Sequence, residues 1–578
     1  MKKENYTYPI TEIFTGKTGK NSRYVDDKYT HEWVIESRVD RALGRLERFV
    51  REDDIFIDER INRVLDRHVR LVGEDADDED IKVTKNTPTD IGIKWYIPEN
   101  VTIADNTTIW RDGSRTITDK ILIIDNATLI LYNFTLIMNA TDYGKAGILL
   151  LNGSKLVLNY STITYDPAGY EYFIRAEANT TLSVLNGSLI EHAGWSPTNP
   201  GIEIGLNYTI IGREAVVTIE NSTISDCYNG LTLLRNVNAT IMDTTFQNIQ
   251  KYGINVSGKS EVTIINTSFT GGETAIYVND SNAVIRQSTF SGTTNYDIIA
   301  EAGATITIGN STFSVGGIKI SNSTATIEND TFMSTTYGIY IENSTVSIGS
   351  STLINEHVKS ISSIVTIKNS NISISLVDYT TSYYAVYIDG ASTLAIKSTT
   401  IKMVLEDAST GTPEDIAAVC SNGNITLEDV GLSASFRGAS DAVPVLLQGP
   451  VATIMDSRLY GEVYNSSVMY LVEIYDVSDT EIDDTSFEIY AYDRRYKESS
   501  NYYIEALDVI YAVNVTVNNS YFFANITGNS TLPYNNTDFC DDSYNYLAIQ
   551  IYGYKVSNFI IKNTTIDAWV YWLGQTNP

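Results

Sequence analysis

The feature that most constrains the fold is a short phrase that recurs at nearly constant spacing through residues 214–353. One copy occupies residues 217–224 and reads Val-Thr-Ile-Glu-Asn-Ser-Thr-Ile. Further copies end at Phe246, Phe269, Phe290, Phe313, Phe332 and Leu353. A period of about 19–23 residues is typical of repeat architectures, in which each repeat buries its apolar face only by stacking on its neighbours.

Alternating side chains identify the elements inside each copy as β-strands. In residues 217–224, Val and Ile alternate with Thr and Glu before the Asn, and β-branched residues dominate. A second strand follows in each copy and usually begins with a small residue, as at Gly253, Ala275, Gly317 and Gly338. Because two or three short strands per turn cannot bury an apolar face alone, successive turns must stack. The sequence therefore predicts a mainly β fold, a parallel β-helix.

A small polar residue at the same point of each copy predicts a tight corner. Such side chains tolerate tight corners and hydrogen-bond to neighbouring backbone. Stacked on successive coils, they would form an internal amide ladder that satisfies buried backbone groups. The predicted corner positions are Asn133, Asn159, Asn186, Asn221, Asp243, Asn266, Gln287, Asn310, Asn329, Ser350, Asn369, Ser398, Asp429, Asp456, Asp484, Asn519 and Asn563.

With these repeats and corners the sequence resembles the right-handed parallel β-helix (pectin-lyase-like) superfamily, over about residues 90–570. The resemblance implies a single-stranded right-handed parallel β-helix. Because that fold hosts lyases, hydrolases, adhesins and viral spikes, the repeat is far more informative about fold than about function.

Charge and hydropathy exclude some classes of partner. The formal net charge of -30 argues against nucleic acid, whose phosphates the chain would repel. We expect no membrane-spanning helix, because no run of about 20 apolar residues occurs. Residues 1–30 also lack the apolar core of a secretory signal.

A change in composition near residue 73 predicts a domain boundary. Of the first 80 residues, 35 are charged, whereas charged residues make up 19% of the whole chain. We predict an extended N-terminal anchor segment at 1–29, a helical coiled-coil region for oligomerisation at 30–73, and an acidic linker and cap at 74–94. A regular β-helix follows at 95–372, and a β-helix with long loops and a C-terminal cap at 373–578.

The coiled-coil prediction depends on apolar residues at alternating four- and three-residue spacing, surrounded by Arg, Asp and Glu. The seam consists of Ile35, Val39, Ala42, Leu46, Phe49, Ile57, Ile61, Val64 and Leu71.

The strongest chemical signal is the N-glycosylation acceptor Asn-x-Ser/Thr, which occurs 29 times. The corner phrase itself contains Asn-Ser-Thr and accounts for Asn221, Asn266, Asn310 and Asn329. It does not account for Asn100, Asn106, Asn126, Asn139, Asn207, Asn255, Asn279, Asn424, Asn465, Asn514, Asn525 or Asn535. This excess predicts substantial N-glycosylation, which requires an extracytoplasmic oligosaccharyltransferase. A glycosylated corner Asn would point outward, so the ladder and the glycan exclude each other site by site.

Motifs for catalysis are weak. Polygalacturonase-like members of the superfamily carry Asn-Thr-Asp, Asp-Asp and Gly-His-Gly on neighbouring coils. Residues 536–538 read Asn-Thr-Asp and residues 541–542 read Asp-Asp, but both lie in one loop, and Gly-His-Gly is missing. The four histidines, His31, His68, His192 and His357, lie in unrelated contexts. The sequence therefore assigns no catalytic, cofactor or metal residues, and it favours a binding protein over an enzyme.

Aromatic residues are a softer hint of binding. The chain has 39 Tyr and 6 Trp residues, and many Tyr, such as Tyr277, Tyr340 and Tyr387, alternate outward on predicted strands. Flat aromatic faces in such positions stack on sugars or on a neighbouring chain.

A short coiled coil followed by a parallel β-helix, with loops that lengthen toward the far end, resembles viral tail-spike and receptor-binding fibres. That resemblance implies a homotrimer whose N-terminus docks on a virion tail or adaptor protein and whose distal region binds host surface glycans. Dense acceptor sites favour an archaeal virus, with the protein on the virion surface or extracellular. Two alternatives stay open: a polysaccharide-degrading hydrolase or lyase, and a cellular surface-layer or filament glycoprotein.

Overall fold

A computed structural model describes residues 100–104, 106–206, 214–333, 335–377, 383–406, 416–437, 441–464, 468–493, 502–528, 544–552 and 558–572. The predicted anchor segment, the acidic linker and the coiled-coil seam from Ile35 to Leu71 lie outside these residues. So do most of the long distal loops. Throughout the described part, named strands pair in parallel with strands one coil away and no α-helix occurs. Consistent with this, it contains no helix suited to crossing a membrane.

The chain winds as a parallel β-helix with three faces per coil. Faces 1 and 2 together form a sheet of 34 strands, and face 3 forms a sheet of 19 strands. In the first two coils, strands Thr107–Thr118 and Thr128–Asn139 run through faces 1 and 2 without a break. The other strands of face 1 are Lys155–Asn159, Thr181–Leu185, Ala215–Glu220, Val237–Met242, Glu261–Ile265, Asn282–Arg286, Thr305–Gly309, Thr324–Glu328, Thr345–Gly349, Ile364–Lys368, Thr393–Lys397, Asn424–Glu428, Val451–Met455, Asp479–Asp483, Asn514–Asn518 and Phe559–Lys562.

Face 2 carries short strands in the middle of the shaft and longer ones toward the C-terminus. They are Thr162–Tyr165, Leu189–Glu191, Thr223–Ser225, Thr245–Gln247, Ser268–Thr270, Thr289–Ser291, Thr312–Phe313, Thr331–Met333, Thr352–Ile354, Asn371–Val377, Thr400–Glu406, Gly431–Arg437, Arg458–Tyr464, Ser486–Asp493, Tyr521–Gly528 and Thr565–Trp572.

Face 3 precedes face 1 in each coil. Its strands are Val101–Ala104, Ile121–Asp125, Gly147–Leu151, Phe173–Glu177, Gly201–Leu206, Asn229–Leu233, Tyr252–Val256, Thr274–Asn279, Ile298–Glu301, Ile318–Ser321, Ile339–Glu342, Val358–Ile361, Tyr383–Ile388, Ile416–Ser421, Asp441–Ala442, Val445–Leu447, Val468–Tyr475, Tyr502–Ile510 and Tyr544–Tyr552.

The predicted corners are confirmed as the turns between face 1 and face 2. Sixteen of the seventeen positions have left-handed backbone, with φ between 45° and 59°. At the remaining corner the left-handed residue is Tyr160, one position after Asn159. The first coil has an equivalent corner at Asp112, which the repeat did not predict. Asn, Asp and Ser recur here because a short polar side chain tolerates this conformation.

The predicted internal amide ladder is wrong, because the corner side chains face solvent. Asn221 is exposed, and it is the following residue, Ser222, that is buried. Strand alternation does not continue through a left-handed residue, so Glu220 and Asn221 both point outward and the next side chain turns in. The prediction failed because it assumed that the alternation of inward and outward side chains along a strand continues through the corner.

A ladder of hydroxyl groups takes the place of the amide ladder. The hydroxyl of Ser311 accepts a hydrogen bond from the backbone N–H of Ser288, one coil earlier, at 3.2 Å. It donates to the carbonyl of Gly309 at 3.2 Å. Ser370 repeats this pattern with Ser351 N at 3.2 Å and Lys368 O at 2.9 Å. The corner removes some backbone N–H groups from strand pairing, and these hydroxyl groups accept their hydrogen bonds inside the core.

One apolar core runs along the shaft from Ile117 to Ala524. On the inner side of face 2 the rings of Phe246, Phe269, Phe290, Phe313 and Phe332 stack on five consecutive coils. Successive centroids are 5.1, 5.1, 4.7 and 4.5 Å apart, and the planes differ by at most 11°. Cys227 is a buried free thiol, and Cys420 is also buried.

Candidate functional site

The middle of each face 3 strand presents one side chain away from the core, and strand register aligns these side chains in a straight row, which we call the outer row. Neighbouring members belong to coils about 4.8 Å apart. From the middle of the shaft toward the C-terminus the outer row consists of Thr232, Asn255, Tyr277, Ile299, Lys319, Tyr340, Lys359, Tyr387, Cys420, Leu446, Glu473 and Asp508. The three Tyr residues that strand alternation predicted to face outward all belong to it.

Tyr277 is the centre of a polar cluster on this row. Its ring stacks on Tyr252 at 5.2 Å between centroids. Its hydroxyl donates to Glu301 Oε2 at 3.2 Å and accepts from Asn279 Nδ2 at 3.2 Å. Glu301 also holds Lys319 Nζ at 3.0 Å, and this hydrogen bond raises the pKa of the Lys319 amine. Lys319 is therefore a fixed cation and not a base that removes protons from a substrate.

Farther along, Lys359 lies over two aromatic rings. Its Nζ is 5.9 Å from the Tyr340 centroid and 6.0 Å from the Tyr387 centroid, while the side chain is exposed. Cation–π attraction holds the amine over the rings and leaves it accessible to a ligand. At the adjacent edge of face 3 the rings of Tyr296 and Tyr337 lie 4.8 Å apart.

Two buried carboxyl groups close to this surface belong to the interior. Asp297 accepts hydrogen bonds from Thr293 Oγ1 at 2.7 Å and from the N–H groups of Gly316 and Gly317 at 3.0 and 3.1 Å. Glu356 accepts from the N–H and hydroxyl of Thr335. Burial raises the pKa of Asp297 to about 6 and that of Glu356 to about 7. Both side chains are fully buried, so neither reaches a ligand on the surface.

The outer row also brings together two acids that sequence motifs missed. Glu473 and Asp508 are register partners on neighbouring coils. Asp508 is 2% exposed, its Oδ1 has no hydrogen-bond partner among described residues, and burial raises its pKa to about 6. The signal in the sequence is an acid between two apolar strand residues in both segments, Val-Glu-Ile at 472–474 and Leu-Asp-Val at 507–509.

A second aromatic surface lies nearer the N-terminus, at the corner between face 2 and face 3. Tyr143 stacks on Trp195 at 5.5 Å and meets the edge of Tyr170 at 4.6 Å. Tyr143 is 51% exposed and Tyr170 39%. These rings come from three successive coils and form an aromatic platform open to solvent.

The predicted glycosylation sites have mixed accessibility, and their occupancy stays a prediction. Asn207, Asn465 and Asn535 lie outside the described residues. Exposed sites are Asn106, Asn126, Asn424 and Asn514; partly exposed ones are Asn100, Asn139, Asn255, Asn279 and Asn525. The corner residues Asn221, Asn266, Asn310 and Asn329 are exposed as well. Asn255 and Asn279 lie beside Tyr277, so a glycan there would compete with a ligand on the outer row.

Comparisons with known proteins support the fold. Residues 209–362 match the family described as right handed beta helix region. Together with the parallel stacking, this match shows a right-handed parallel β-helix in the described part of the chain. A comparison with curated proteins gave no match.

A comparison with solved structures gave matches at low similarity. The periplasmic alginate epimerase AlgG is 10% identical, with a TM-score of 0.35 over 56% of this chain and 85% of that chain. The PL6 family alginate lyase AlyGC is 9% identical, with a TM-score of 0.19 over 80% of this chain and 96% of that chain. Similarities this distant carry no argument about activity.

Proposed function

We propose that the β-helix is the shaft of a surface attachment protein, a virion spike of the tail-spike kind, and that it binds host glycans along the stretch of the outer row from Tyr277 to Tyr387. Beyond this stretch Cys420, Leu446 and Asp508 are buried. The observation that carries the proposal is the alignment of aromatic rings and amines on successive coils. Tyr277, Tyr340 and Tyr387 offer ring faces for stacking on sugars. Lys359 and Glu301 add hydrogen-bonding groups for hydroxyl or carboxylate substituents.

Repeated weak contacts suit a glycan chain better than a deep pocket does. Each coil contributes one or two groups, and a ligand laid along the row would meet several in sequence. Several linked contacts raise the overall affinity because, once the first contact has formed, each further contact forms within the same complex. In the proposed homotrimer three such rows would act together.

The test is binding of the purified full chain to host envelope polysaccharide. Replacing Tyr340 and Lys359 by Ala removes one ring and one amine from the open part of the row, and we expect affinity to fall about tenfold or more. Tyr132→Ala is the matched control, because Tyr132 is an exposed aromatic residue on face 1. Equal binding by wild type and the double variant would contradict the proposal.

The polysaccharide-degrading alternative draws on the neighbouring acids Glu473 and Asp508, of which Asp508, at 2% exposed, would meet a sugar only after the side chains around it move. Two carboxyl groups that flank a glycosidic bond are the usual catalytic pair of glycosidases. The same binding experiment separates the two functions. Bound polysaccharide that stays intact supports attachment, whereas new reducing ends that disappear in Glu473→Gln support the enzyme.

A further inference from the structure

The corner between face 2 and face 3 brings together three side chains with metal-binding atoms. Glu191 and His192 follow each other at the end of one face 2 strand, and Asp226 lies at the equivalent corner of the next coil. One imidazole nitrogen and one oxygen of each carboxylate lie within 4.8 Å of one another. Within the described ranges it is the single set of three such side chains found. All three are partly exposed, so an ion has a path from solvent.

Ion pairing does not account for the arrangement. No ion pair of the described residues joins His192 to either acid. No Lys or Arg of the described residues pairs with Glu191 or Asp226 either. In the described part of the chain, two carboxyl groups therefore converge beside an imidazole without a Lys or Arg ion pair.

The distances suit a small cation. A point equidistant from three atoms with 4.8 Å separations lies about 2.8 Å from each, whereas zinc bonds to imidazole nitrogen and carboxylate oxygen are about 2.0–2.2 Å long. Because 4.8 Å is the upper limit of the separations, about 2.8 Å is the longest value of this distance, and rotation of the Glu191 side chain would shorten it. The imidazole nitrogen favours a transition metal, because calcium and magnesium select oxygen ligands.

Neighbouring side chains restrain two of the three ligands. The Tyr165 ring lies 4.4 Å from the His192 ring, which limits rotation of the imidazole. Asn248 Nδ2 donates to Asp226 Oδ1 at 3.3 Å and leaves the other carboxylate oxygen for an ion. Contacts of this kind orient ligands in metal sites.

We propose that Glu191, His192 and Asp226 form a binding site for one divalent transition metal ion, with zinc as the best fit. The ion links two consecutive coils at their corner. Three residues after His192 comes Trp195 of the aromatic platform, so the same ion fixes the start of the loop that carries this ring. The proposal is independent of the glycan-binding proposal, since it concerns different residues.

The experiment is calorimetric titration of the full chain, freed of metal with a chelator, with zinc chloride, manganese chloride or calcium chloride. We expect one zinc ion per chain to bind more tightly than calcium. His192→Asn and Asp226→Asn keep a residue suited to the left-handed backbone, at φ 61° and 53°, and should weaken zinc binding about tenfold or more.

Asp243→Asn is the matched control. Asp243 also lies at a left-handed corner and also accepts from an Asn amide, Asn266 Nδ2 at 2.6 Å. No histidine accompanies it, so its variant should bind zinc like wild type. Thermal melting without metal establishes that each variant is folded. Absence of stoichiometric zinc binding, binding unchanged in both ligand variants, or calcium binding as tight as zinc would each overturn the proposal.

Discussion

Asp330 takes a position on the inner ladder that neighbouring coils fill with Ser or Thr. The N–H of Ser311 donates to its Oδ1 at 2.6 Å, and its own N–H donates to Ser351 Oγ at 3.2 Å. Its Oδ2 has no hydrogen-bond partner among described residues, and the residue is 1% exposed. Burial raises the pKa of this carboxyl to about 7. An ionisable group therefore interrupts a ladder of neutral hydroxyl groups.

We predict that Asp330→Ser stabilises the protein at pH 8 and has a smaller effect at pH 5. The folded pKa is about 7 and the unfolded value 3.8, so the folded state keeps its proton longer as pH rises. The wild type therefore loses stability between about pH 4 and 7, by about 4 kcal/mol. Ser restores the ladder hydroxyl and removes that loss.

Thermal melting of wild type and Asp330→Ser at both pH values is the measurement. Asp456→Asn, at an exposed corner, is the control and should follow the wild type. A melting difference between wild type and Asp330→Ser that does not change with pH would show that the buried carboxyl is not responsible.

At the scale of elements, the stacked Phe rings join the coils of face 2. Phe290 has a ring on each side, at 5.1 and 4.7 Å, whereas Phe246, at the end of the stack, has one ring neighbour. On the side away from Phe269, Phe246 is paired in register with Ile224. Ring stacking contributes about 0.5–1.5 kcal/mol per pair beyond the burial of apolar surface.

We predict that Phe290→Leu costs more stability than Phe246→Leu, by about 0.5–1.5 kcal/mol. Both substitutions remove a similar volume from the same core position of the repeat, so the difference reports the second ring contact. Denaturant unfolding of the two variants under identical conditions gives the comparison. Equal costs would mean that burial alone stabilises this stack.

For the whole molecule, the described β-helix is a single continuous core, and the predicted trimer depends on the seam from Ile35 to Leu71. A core that runs unbroken through successive coils does not need a partner chain to bury its inner face. We therefore expect the β-helix to fold as a single chain even when the chains cannot form a trimer. The glycosylation acceptor sites also affect the molecule as a whole, because glycans at exposed corners would cover the length of the shaft.

We predict that light scattering of the full chain gives the mass of three chains, each heavier than the 64.1 kDa polypeptide by its glycans. Enzymatic removal of glycans should reduce the mass to three times that of the polypeptide. Deletion of residues 1–73 should give folded single chains, as judged by retained β circular dichroism. Monomeric full-length protein, or a polypeptide mass without sugar, would contradict the trimer or the glycosylation prediction respectively.

Patterns among neighbouring residues in the sequence were sufficient to predict the strands, the corners and the outward Tyr side chains. Alternation and β-branched composition predicted the strands, a small polar residue predicted left-handed corners, and alternation placed Tyr277, Tyr340 and Tyr387 outward. Each of these predictions depends on residues within one coil, where the spacing between residues determines whether a side chain points inward or outward.

Contacts between coils were decided only by the tertiary structure. Asp226 lies 34 positions after His192 and Asp508 lies 35 after Glu473, yet the two members of each pair lie side by side on neighbouring coils. Register across coils depends on the lengths of intervening corners and loops, which vary from coil to coil and leave no fixed spacing to recognise. The inward turn of Ser222 likewise depends on how a left-handed residue reorients the chain. The sequence by itself thus determined the winding, whereas the stacking of unequal coils decided which side chains share a site.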